Sequence, residues 1–181
     1  MSRRGWLLFG ALGLVWGLPY LFIKIAVEHL SPPVIVFGRV FLGALVLVPL
    51  TWRSGALAAV RPRLAWVVVF ALVEISGPWV LLTFAEQRVS SSLAALFISA
   101  VPLVGAVLAW SLRLDDRFDR TRFLGLGLGI LGVASLVGLD VRGGSWIAVG
   151  AMFLTAIGYA IGPMIVSTKL QGVPSLGVIA V

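Results

Sequence analysis

The chain has 181 residues, of which 60% are hydrophobic and 12% charged, a balance that excludes an ordinary soluble domain. It has no cysteine, so a disulfide framework, a thiolate nucleophile and a cysteine metal site are excluded as well. The net charge of +7 is spread over the ends of apolar stretches instead of lying along one face, which points to membrane topology and away from nucleic acid.

A bilayer-crossing helix takes about 20 apolar residues. Stretches of that kind run Trp6–Val27, Val34–Trp52, Leu64–Phe84, Ser91–Leu112, Phe123–Leu139 and Trp146–Ser167. The predicted fold class is therefore an all-α integral membrane protein, a transmembrane helix bundle. The first stretch follows Arg3 and Arg4 as a signal peptide would, but it ends in Lys24 with no small-residue cleavage site and more spans follow, so it reads as retained. Short linkers carry the turn chemistry: Ser31-Pro32-Pro33, Arg61-Pro62-Arg63, Asp115-Asp116-Arg117 and Arg142-Gly143-Gly144.

Orientation follows from the cations. Arg3, Arg4, Arg53, Arg61, Arg63, Arg113, Arg117, Arg120, Arg122 and Lys169 fall on one side, and only Arg88 and Arg142 on the other, which puts the N-terminus in the cytoplasm. The opposite loops receive Glu28, His29, Glu86 and Asp140.

Inside the spans stand charges that need a reason. Glu74 lies near mid-depth of its stretch, and Lys24 and Arg39 lie in the outer third of theirs. One reading has Lys24 or Arg39 holding a substrate carboxylate while Glu74 binds an amine or a proton. The other is a structural Arg39–Glu74 pair with Lys24 reaching to the interface. Trp16, Tyr20 and Trp79 are candidate cavity aromatics, whose ordinary alternative is packing or lipid contact. Pro19, Pro78, Pro102 and Pro163 interrupt backbone hydrogen bonding inside spans and are candidate hinges, Pro102 foremost, or static bends. Trp6, Trp52, Trp66, Trp110 and Trp146 sit at span ends, as interfacial anchors do.

Glycines at four-residue spacing make smooth faces for helix packing: Gly13 with Gly17, Gly125 with Gly129, and Gly158 with Gly162, with Gly132 continuing the second set. The run Gly127-Leu128-Gly129-Ile130-Leu131-Gly132 also fits a dinucleotide signature, but no strand precedes it and it lies within an apolar span. No cofactor is expected. The lone His29 has no second histidine or cysteine beside it to make a metal site.

An internal repeat emerges when the sixth stretch is laid on the first: Trp16-Gly17 aligns with Tyr159-Ala160, and Pro33 with Pro174. An odd number of spans before the repeat inverts the second copy, as in many secondary transporters. The expected division is a first repeat over 1–140 and the start of a second over 141–181, with Gly177–Val181 opening a seventh span, so that the chain is expected to be a fragment.

Together, Trp16-Gly17 with Tyr20 and Lys24, Pro33 with Arg39, Ala85 before Ser90-Ser91-Ser92-Leu93-Ala94-Ala95, Pro102-Leu103, and Gly125 to Gly138 resemble the EamA family of the drug/metabolite transporter superfamily. Asp115-Asp116 stands where that family usually has a single acidic residue. The resemblance implies ten helices in two five-helix repeats. It also implies a secondary transporter of the bacterial cytoplasmic membrane, commonly an exporter of amino acids, other small metabolites or drugs by alternating access. Expected partners are then a small-molecule substrate and the lipid bilayer, not nucleic acid, with a homodimer as a further option. An enzyme is not expected, because no span holds a histidine or paired carboxylates. The alternative is a small membrane scaffold or a non-functional transporter fragment.

Overall fold

The computed structural model describes residues 2–112 and 146–181, together with 121, 124, 125, 127–129, 131, 132 and 135. Most of the predicted fifth span, the Asp115-Asp116 pair and the expected boundary near residue 140 lie outside the described residues. The chain is helical, in the order α1 (Arg3–Ala26), α2 (Pro32–Arg53), α3 (Ala56–Val60), α4 (Leu64–Phe70), α5 (Gly77–Glu86), α6 (Ser91–Ser99), α7 (Val101–Ser111), α8 (Trp146–Lys169) and α9 (Ser175–Ala180). Among the described residues, Arg4–Ala26, Pro32–Arg53, Ala56–Glu86, Ser91–Ser111 and Trp146–Lys169 are long and apolar enough to cross a membrane.

Local chemistry explains the starts and interruptions. Ser2 and Ser90 cap α1 and α6, their hydroxyls accepting from the backbone N–H of Gly5 and Leu93 at 3.2 Å each. The third stretch is longer than the predicted Leu64–Phe84: it stays helical for 31 residues, from Ala56 to Glu86. Arg61-Pro62-Arg63, predicted as a linker, forms a 3-10 turn inside it, because proline fits the first turn of a helix, where its missing N–H would be unpaired.

Ala71–Ser76 then widens into a π-helix around Glu74. Pro78, just beyond, has no N–H to offer the Glu74 carbonyl four residues back, which removes the α-helical bond that would tighten this turn. The fourth stretch breaks between α6 and α7 at Ala100, where Pro102 likewise denies a donor to the Ile98 carbonyl.

α8, the sixth predicted span, is the hub. It packs against α5 most extensively, and also against α4, the π-helical segment, α6 and α7. One core cluster joins Ile23 of α1, Leu82 and Ala85 of α5, Leu93 and Phe97 of α6, and Ala148 and Met152 of α8. A second joins Val60, Val67, Phe70, Ile165, Leu170 and Val178. The two clusters use opposite ends of α8. The stretch between them, 155–162, is where the polar groups meet.

Glycine permits this hub. A Cβ built on Gly158 would lie 2.5 Å from the Val73 carbonyl oxygen and 2.7 Å from Pro78 Cγ, and one on Gly162 would overlap the Glu74 carboxylate. Thr155, fully buried, donates to the Ala151 carbonyl at 2.9 Å and lies 3.4 Å from the Pro78 carbonyl, so the backbones of α8 and α5 nearly touch. No described atom lies within 4 Å of a Cβ built on Gly13, Gly17, Gly125 or Gly132, whereas one on Gly129 would crowd Leu103. The close approaches of α8 to Val73, Glu74 and Pro78 are thus made at Gly158 and Gly162, and a Cβ on Gly177 of α9 would likewise lie 2.9 Å from the Ala56 carbonyl oxygen. Gly13 and Gly17 lie on α1, most of whose apolar side chains are exposed, among them Leu12, Leu14 and Val15.

Candidate functional site

Arg39, Trp79, Tyr20, Tyr159 and Glu86 converge from α2, α5, α1 and α8. The half-buried Arg39 guanidinium lies 3.8 Å from the centre of the Trp79 ring, a cation–π stack. Its electrostatic neighbours are Tyr159, Glu86 and Tyr20. Glu74 is not among them, so the structural Arg39–Glu74 pair considered from sequence is not what places Arg39. Arg39 Nη1 is buried without a hydrogen-bond partner, and so is Glu74 Oε2. Tyr159 stands within side-chain hydrogen-bonding reach of Trp79 and has Glu74 in its electrostatic surroundings, which links the two charges through one ring.

Helical phase makes this convergence. Tyr20 and Lys24 are four residues apart and share a face of α1. Trp16 belongs to the same face one turn earlier, but it is 62% exposed and uncovered by the described residues. Trp79 enters α5 directly after the π-helical turn that carries Glu74. Of the candidate hinge prolines, Pro78 is buried at that turn, Pro102 is exposed at the α6–α7 break, and Pro19 is half-buried within an uninterrupted α1.

Lys24 does something sequence reasoning did not anticipate. Its ammonium donates to the main-chain carbonyls of Glu86 at 2.7 Å and Val89 at 3.0 Å, so it ties α1 to the turn after α5. A cation at a helix C-terminus is favourable on dipole grounds too. Lys24→Met is expected to lower stability by about 2 kcal/mol, within the range for losing charge-assisted hydrogen bonds. Thermal unfolding in detergent checks this, and an unchanged midpoint would show that the ammonium does not hold the turn.

The sequence reading places Glu86 in an external loop. In the structure it is the last residue of α5, its side chain is 0% exposed, and both carboxylate oxygens lack a hydrogen-bond partner. Lys24 and Arg39 are its electrostatic partners. The signal that could have found it is depth: two cations in the outer third of adjacent spans call for an acidic residue at the same level. Tyr159 was equally open to sequence reasoning, since the expected repeat lays it on Trp16. Among the described residues no group of histidine, cysteine, aspartate and glutamate side chains could hold a metal ion.

The sequence model of the EamA-like transporter family matches residues 3–138. The chain is 30% identical over 161 residues to the uncharacterized inner membrane transporter YedA of Escherichia coli K12, covering 86% of this chain and 51% of that protein. The YedA proteins of E. coli O6:H1 and O157:H7 give the same figures. The chain thus spans about half the length of the curated relatives it matches. No solved structure matches it.

Proposed function

The chain belongs to the EamA-like transporter family as a multi-pass inner-membrane protein, and from that premise we propose that it serves secondary transport of small zwitterionic metabolites such as amino acids. The observation that carries this reading is Arg39: a partly buried guanidinium stacked on Trp79, with Nη1 aimed at no acceptor. Planar guanidinium donors match a carboxylate in bidentate fashion, and ring stacking fixes the plane in which they point. Glu74 supplies the opposite charge. It lies five residues before Trp79 along the helix, roughly 7 Å by helical rise, and its Oε2 is buried without a hydrogen-bond partner. Tyr20, Tyr159 and Trp79 offer ring surface between them for the substrate's side chain. Alternating access would act through the two backbone interruptions at Pro78 and Pro102, where missing hydrogen bonds make bending cheapest. Lys24, held on main-chain carbonyls, contributes fixed positive potential in this scheme.

Counterflow in proteoliposomes tests the reading. Labelled L-phenylalanine exchanging against unlabelled amino acids, with benzoate competing, is the expected result; preference for neutral drugs over both overturns it. Glu74→Gln should weaken L-phenylalanine binding about 10- to 100-fold, the worth of one charge-assisted hydrogen bond, and leave benzoate affinity where it was. Equal loss of both ligands would return Glu74 to a packing role.

A further inference from the structure

Resting on the reading of Arg39 as the carboxylate-binding cation, we propose that Glu86 is a proton-binding site whose occupancy sets how freely Arg39 holds an anionic substrate group. The side chain is fully buried and neither oxygen has a hydrogen-bond partner, an expensive condition for a carboxylate. Its position, at the end of α5 and one residue before the exposed Gln87-Arg88 turn, leaves a short path for protons from the membrane surface.

The groups around it define what its charge does. From α1 come Lys24 and Tyr20, and from α2 comes Arg39. α8 contributes Tyr159, which shares Arg39. α6 carries no titratable side chain. On the same helical stretch, Glu74 lies at the π-helical turn, and Arg88 is exposed with its guanidinium 4.1 Å from the Phe84 ring centre. Lys24 has two of its three hydrogens committed to the Glu86 and Val89 carbonyls. Arg39, with a free Nη1, is therefore the cation whose loyalty can change.

Two cations and one carboxylate leave a single positive charge in excess, enough for one substrate carboxylate. While Glu86 is ionised it competes with that carboxylate for Arg39. When the carboxylate takes up a proton from solution to become the neutral acid, the competitor is removed. Proton and substrate anion then favour each other's binding, and the coupling is reciprocal. A metal cation fits less well, because hard cations need several oxygens and the two carbonyls at this point are held by the Lys24 ammonium. Glu74, only half-buried and at the aromatic cluster, is left for the substrate's amine.

The test uses the full chain in lipid nanodiscs. Without ligand, infrared difference spectra on acidification should show a carboxylic-acid C=O band that Glu86→Gln removes and Glu74→Gln leaves in place. With labelled benzoate as probe, wild-type affinity should rise up to about tenfold per pH unit of acidification, the limit for one linked proton, then level off. Glu86→Gln should bind benzoate tightly with no such slope, and Glu86→Asp should keep the slope with a displaced midpoint. Acidification spectra from which Glu86→Gln removes no C=O band, a wild-type slope in that variant, or an undisplaced midpoint in Glu86→Asp overturns the proposal. If wild type binds no benzoate at any pH, the carboxylate reading of Arg39 falls, and the infrared band alone decides whether Glu86 takes the proton.

Discussion

Gly158→Val is expected to break the centre of the bundle, seen as loss of a monodisperse, folded species in detergent. Its built Cβ would sit 2.5 Å from the Val73 carbonyl oxygen, inside any real contact distance. The obstacle is main chain within a π-helical turn and a proline ring, neither of which can swing aside as a long side chain would. Relief requires α8 to move off α5, and the fully buried Thr155 and Met152 would lose their partners as it moved. The cost of such overpacking is commonly about 1–3 kcal/mol when neighbours can adjust, and rigid neighbours put this case at the upper end or beyond. Gly150→Val, on the same helix where no described atom lies within 4 Å of the added Cβ, is the control and should be tolerated. Equal behaviour of the two variants in thermal unfolding would refute the close-approach account.

Arg39→Ala should abolish carboxylate recognition. Truncating one partner of a partly desolvated charge pair typically costs about 2–5 kcal/mol, so benzoate affinity should fall by roughly 30-fold or more. The same change strips the cation from Trp79 and leaves Glu86 with Lys24 as its remaining cationic neighbour. Arg39→Lys separates charge from shape. An ammonium keeps the positive potential but cannot lie flat on the indole or offer a planar fork, so an intermediate loss is expected. Equilibrium binding to wild type and both variants decides: full affinity in Arg39→Lys would reduce the residue to a point charge, and full affinity in Arg39→Ala would remove it from the site.

Much of the architecture was legible because a bilayer imposes length and polarity so strictly. The stretch Trp146–Ser167 was marked from sequence, and α8 exceeds it by two residues at its C-terminal end. What hydropathy could not supply was partner choice. It ended the third span at Phe84 and gave Glu86-Gln87-Arg88 to an external turn, and so it put a fully buried carboxylate in water. Four-residue glycine spacing flagged Gly13, Gly17, Gly158 and Gly162 alike, but spacing does not tell which face another helix covers. The charges in the spans were visible at once. Their pairing was not, because it depends on rotation about each helix axis, and Pro78 alters that rotation through the turn before it.

That turn sets the angular phase of everything after it. A single π-helical turn holds one residue more than an α-helix would use for the same advance, and one residue corresponds to about 100° of rotation at 3.6 residues per turn. Trp79 and Glu86 therefore face Arg39 and Lys24 only because of a register offset written into Ala71–Ser76. Deleting one residue there would leave composition, span length and every named side chain almost unchanged. It would nevertheless turn the working face of α5 away from its cations, a defect that no conserved-residue count or hydropathy profile would reveal.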